Sequence, residues 1–118
     1  MFQALLDAVD GLEIPLERDA IRALVAIRDR LDARLTQALA DYETTGRYEL
    51  DGSLSMQAWL RHETGASSPV AARLVARGRV VRACPRLAAA FVGGELSSGH
   101  VDVIVGCIPA RHLQRFAD

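Results

Sequence analysis

The sequence predicts an all-α protein, a helical bundle with one long amphipathic helix and a helix-turn-helix-like pair, and no sheet. Three observations carry this expectation. Alanine is abundant and the β-branched residues are concentrated late in the chain, a composition that favours helices over strands. Between Pro15 and Gly46 neither Gly nor Pro interrupts an apolar row that recurs at three- and four-residue spacing. Farther on, Ser, Pro and Gly fall where helices begin and end. The 118 residues make one helical domain, or an N-terminal fragment of one. Such a chain can bury roughly two-thirds of the surface it exposes when unfolded. Half of it is apolar, but with Trp 1, Tyr 2 and Phe 3 the core must be built from Leu, Val, Ile and Ala.

Taken in order, Phe2, Leu5, Leu6 and Val9 share one face of a short helix that Gly11 ends. Pro15 then opens the long helix, over about residues 15–45, with Glu17 and Asp19 in the first turn where the helix dipole favours acids. Its apolar row runs Ile21, Leu24, Val25, Ile27, Leu31, Leu35, Ala38, Leu39 and Tyr42. Arg28, Asp29, Arg30, Asp32 and Arg34 are expected to form a solvated face laced with salt bridges. A helix of roughly 45 Å must lie along a partner helix, in this chain or another. Its apolar repeat is not a strict heptad, which disfavours an extended coiled coil. Residues 47–52 alternate polar and apolar and end at Asp51-Gly52, the pattern of an extended linker, with Tyr48 and Leu50 plugging the base of the next helix.

The helix-turn-helix-like segment covers residues 55–84. Ser55 is a natural N-cap, Trp59 and Leu60 face inward, and Thr64-Gly65 stops the helix. Ser67 caps the second helix, with Pro69 in its first turn, and it ends near Ala83 because Cys84 precedes Pro85. The C-terminal helices, residues 85–118, comprise one through Leu87 to Val92 closed by Gly93-Gly94, one over 101–107 capped by Ser97 or Ser98 and read as buried core, and one over 111–116.

Charge is unevenly spread. Residues 1–51 carry eleven acids against six arginines, a net −5, whereas residues 52–92 carry six arginines against Glu63 alone, a net +5. There is no Lys and no Asn, which removes a P-loop lysine, a Schiff-base lysine and any step needing an Asn amide. The all-Arg basic charge suits bidentate contact with phosphate or carboxylate. The net −1 of the whole chain leaves two readings: the basic segment contacts nucleic-acid phosphates, or it packs on the acidic segment and is neutralised there. No apolar run approaches the roughly eighteen residues of a membrane span, and the start of the chain, with Asp7 and Asp10, lacks the basic region of a secretory signal. A cytoplasmic protein is expected, with Cys84 and Cys107 as reduced, buried thiols. His62, His100 and His112 lack metal-site spacing, so no metal, cofactor or small-molecule substrate is expected.

A DNA-reading second helix must present its arginines on one outer face, and placing residues at about 100° intervals shows where they fall. Val70, Ala71, Leu74, Val75 and Val81 fall in one arc together with Gly78, which permits close backbone approach. Arg73 and Arg77 lie beyond one edge of that arc and Arg79 and Arg82 towards the other, with Ala72, Ala76 and Val80 opposite. The arginines therefore straddle the helix, a layout that fits phosphate contacts better than base readout.

The order Ala58-Trp59-Leu60, Thr64-Gly65, Ser67, Gly78-Arg79, Pro85, Gly94-Glu95-Leu96-Ser97 and His100-Val101 resembles the actinobacterial thirteen-E-twelve repeat proteins. The resemblance covers residues 15–118. It implies an N-terminal helical domain of unknown function of the kind that precedes an HNH endonuclease module. That module needs Asn and is absent from this chain, so no enzymatic activity is carried over. The family's helical domain is usually longer, and a chain that stops within a predicted helix is expected to be a fragment. His100 matches a recurrent family position; alone on an apolar helix it reads as a core histidine.

Two functions follow. One is a nucleic-acid-binding or targeting domain contacting DNA through Arg61, Arg73, Arg77, Arg79 and Arg82. The alternative is a protein-interaction or homodimerisation module acting through the long helix. No nucleophile, base and orienting group assemble into an enzyme site.

Overall fold

The computed structural model describes residues 1–109, and the helix expected over 111–116 lies outside them. Six α-helices and one 3₁₀ turn form among the described residues, with no strand. Their ends follow the local chemistry closely. Helix α1 (Gln3–Asp10) stops at Gly11, and α2 (Arg18–Thr45) stops at Gly46 in the left-handed conformation, φ 70°. In α3 (Met56–Thr64) the Ser55 hydroxyl accepts from the Ala58 N–H at 3.1 Å. In α4 (Ser68–Ala83) Ser67 accepts from the Val70 N–H at 3.4 Å. Helix α5 (Pro85–Val92) follows directly, because Cys84 before the proline takes a non-helical conformation. Helix α6 (Ser98–Cys107) is capped by Ser97.

Two local expectations are corrected. The long helix begins at Arg18, not Pro15: Glu17 is its extended N-cap, and the Glu17 N–H bonds back to the Pro15 carbonyl at 2.8 Å. Residues 47–49 form a 3₁₀ turn in place of an extended linker, since Gly46 redirects the chain and Glu49 and Leu50 donate back to Gly46 and Arg47. Tyr48 packs on the core as expected, but Leu50 stays 85% exposed.

Helix α4 is the axis of the bundle. At its N-terminal half, Ala71 and Val75 join Met56 and Leu60 of α3 in one core, against which Leu39, Tyr42, Tyr48 and Trp59 pack. Tyr42 and Trp59 pack with their rings tilted and centroids 4.8 Å apart, and the Trp59 indole N–H donates to Asp51 at 2.9 Å. At its C-terminal half, Val81 joins Ala33, Phe91 and Val101 in a second core shared by α2, α5 and α6. Between the two cores Gly78 lies against Ala40 of α2, where a Cβ would stand 3.5 Å from the alanine methyl. The close approach anticipated at Gly78 is thus the crossing of α2 and α4. Because α4 is enclosed along its C-terminal half, Arg77 and Val80 are buried together with Ala71, Val75, Gly78 and Val81 of the expected arc, while Val70 and Leu74 are half-buried.

The long helix turns inward the face opposite to the one its largest side chains suggest. Its buried residues are Ala33, Thr36 and Ala40, joined by half-buried Asp29, Asp32 and Glu43. Ile21, Val25, Ile27, Leu31 and Leu35 are 42–62% exposed. Small side chains let α2 approach the α4 backbone at Gly78; a leucine row there would hold the helices apart.

Helix α6 also departs from expectation. Only Ser98 and Val101 are buried, while Val103 and Cys107 are exposed. His100 is not a core residue: it is exposed and completes a capping box, its Nδ1 accepting from the Ser97 N–H at 3.4 Å. Cys84 is buried, which pushes its thiol pKa up.

Candidate functional site

The five arginines singled out by the sequence do not form one surface. Arg77 lies with its side chain 6% exposed and grips Asp102 of α6 in a bidentate pair, Nε to Oδ1 and Nη2 to Oδ2, both at 2.9 Å. Its remaining nitrogen, Nη1, is 4.0 Å from Asp32 of α2. Asp32 in turn accepts from the Ser98 hydroxyl at 2.7 Å, and Asp29 accepts from the Ser98 N–H at 3.3 Å. One guanidinium and two carboxylates therefore lock α4, α6 and α2 together at the start of α6, where the helix N–H groups also favour acids.

Arg79 makes a second bidentate pair, with Glu43 of α2, at 3.2 and 2.8 Å. That hydrogen bond, opposed by partial burial, holds the Arg79 guanidinium above its ordinary pKa. Arg82 reaches Asp41 of α2 at 3.1 Å, both side chains being more than half exposed. Arg61 donates to the Ser68 hydroxyl at 3.2 Å, joining α3 to the first turn of α4. Arg73 is exposed and takes no ion-pair partner among the described residues. Three of the basic segment's six arginines, Arg77, Arg79 and Arg82, are thus answered by acids of α2 and α6. Asp102 was not foreseen as a partner; as the one acid within α6, facing the bundle beside Val101, it carried the available signal.

A second surface lies on the long helix, the element that the sequence offers for docking, and extends to α1 and the segment after it. Among the described residues, apart from Leu50, Leu54 and Val103, every exposed large apolar side chain lies within the first thirty-five residues. Val9, Leu12 and Ile14 on one side and Leu24, Ile27 and Leu31 on the other line an open groove of ≈ 470 Å³. Phe2 and Leu16 stand 73% and 96% exposed in the same region. Contiguous apolar surface of this extent is uncommon on a folded monomer. The sequence signal was the row Asp29, Ala33, Thr36, Ala40, which offers α4 a second, small-residue face at helical spacing.

Among the described residues no helix is long and apolar enough to cross a membrane. The chain matches no protein-family model, no curated protein and no solved structure.

Proposed function

We propose that this chain is a helical protein–protein interaction module whose docking surface is α1, residues 11–17 and the outward face of the first half of α2. The observation that carries this reading is the exposed row Ile21, Val25, Ile27, Leu31 and Leu35 on a helix whose opposite face already serves the bundle. Covering such side chains with a partner is favourable by on the order of 1 kcal/mol each, and nothing in the folding of residues 18–107 requires them. In the thirteen-E-twelve resemblance, this would make the helical domain an assembly element. Nucleic-acid targeting, the other reading, retains only Arg61 and Arg73 of its five arginines outside internal ion pairs.

The test is the double variant Leu24→Glu/Leu31→Glu, with uptake of an apolar fluorescent dye, thermal unfolding and light scattering as readouts. The wild type takes up dye or self-associates through this face, and the variant loses both with its melting temperature unchanged within a few degrees. If the variant instead unfolds as a core variant does, or dye uptake and association are unaffected, the surface is not the docking site.

A further inference from the structure

We infer that the occupant of the groove is a second copy of this chain, with α1 and residues 11–17 of each copy lying over α2 of the other. This rests on reading the groove as an interaction surface and names its partner.

The argument is one of charge. The first wall of the groove, α1 and the segment after it, carries Asp7, Asp10, Glu13 and Glu17 and no basic side chain. The second wall, α2 from Ala20 to Ala38, exposes Arg28, which lines the groove, and Arg34 beside Ile27, whereas Arg30 donates to the Gly93 carbonyl at 3.5 Å. Its two acids, Asp29 and Asp32, are turned away to Ser98 and Arg77. Among the described residues no ion pair joins one wall to the other; the pairs in this region, Arg18–Asp19 and Arg28–Asp29, stay within α2. An acidic wall and a basic wall therefore flank one apolar groove with no ion pair between them.

A partner that satisfies both walls needs an apolar centre, one acidic edge and one basic edge at the same separation. The chain's own surface has that layout. In an isologous dimer each patch meets its own copy. With the twofold axis running along the groove, the acidic wall of each copy lies over the basic wall of the other; with the axis across the groove, acid would face acid. The charges thus select one of the two arrangements that would cover Val9, Leu12, Ile14, Leu24, Ile27 and Leu31.

Two wall reversals test this in the full chain: Asp10→Arg/Glu13→Arg, and Arg28→Glu/Arg34→Glu. Light scattering is recorded from about 10 μM to about 1 mM, which spans micromolar to millimolar affinities. The wild type is expected to be dimeric within that range. Each reversed variant alone associates at least about ten-fold more weakly, because like charges then face each other at both edges. An equimolar mixture of the two restores a one-to-one dimer. A wild type that stays monomeric throughout overturns the proposal, and so does a mixture that fails to recover association. The wider reading is separated by the dye: a monomer that takes up dye at Leu24 and Leu31 has an interaction surface for some other partner, whereas a monomer that takes up none has neither.

Discussion

At the scale of single residues, Arg77 and Arg82 carry the same charge on the same helix and do different work. Arg77 is enclosed and answers two carboxylates, so Arg77→Met leaves Asp102 and Asp32 facing each other without a cation. Breaking a buried pair costs 3–5 kcal/mol when the orphaned charge is sealed in. Here both acids keep about 30% exposure, which places the loss near the lower end, at about 3 kcal/mol. Arg82→Met removes an exposed pair and is expected to change stability by less than about 1 kcal/mol. Urea unfolding of the two variants checks this contrast; equal losses would contradict it. The sequence could not separate the two arginines, because their burial depends on where α6 docks.

At the scale of elements, the α2–α4 crossing determines which face of the long helix is inside. Ala33 is 0% exposed and faces Val81, Phe91 and Val101, so Ala33→Leu overfills that core and should cost about 1–3 kcal/mol. Gly78→Ala should be neutral or stabilising by up to about 1 kcal/mol, because the new methyl meets Ala40 at an ordinary contact distance while helix propensity improves. Thermal unfolding distinguishes these outcomes, and a destabilised Gly78→Ala would mean that the helices cross more tightly than 3.5 Å permits. Helix existence and ends were readable in advance from Ser55, Ser67, Gly46, Gly65 and Pro85, since a cap or a breaker acts within one turn of its own position. The start at Arg18 and the 3₁₀ turn after Gly46 were not, because both depend on backbone hydrogen bonds in segments without a strong periodic pattern.

At the scale of the whole molecule, the −5 and +5 segments meet inside the fold. Glu43, Asp41 and Asp32 of the acidic segment, joined by Asp102 of α6, answer Arg79, Arg82 and Arg77. Arginines held by carboxylates in this way are not free to displace the counterions condensed on phosphates. The chain is accordingly expected not to retard a DNA duplex in an electrophoretic shift assay even at about 50 mM salt, where phosphate contacts bind most strongly. A salt-sensitive shift abolished by Arg61→Ala/Arg73→Ala would return the nucleic-acid reading to first place.

By itself the sequence determined the helical class, the positions of most helix ends and the pairing of α3 with α4, because these follow from side chains acting on backbone a few residues away. The tertiary structure alone decided which faces are covered and which charges are answered. Along α2 both faces are competent to pack, and the narrow one was taken because Gly78 lets α4 come close only to small residues. The wide apolar face was left outside for that same steric reason, and three of the four arginines that straddle α4 were drawn to acids on the helices around it.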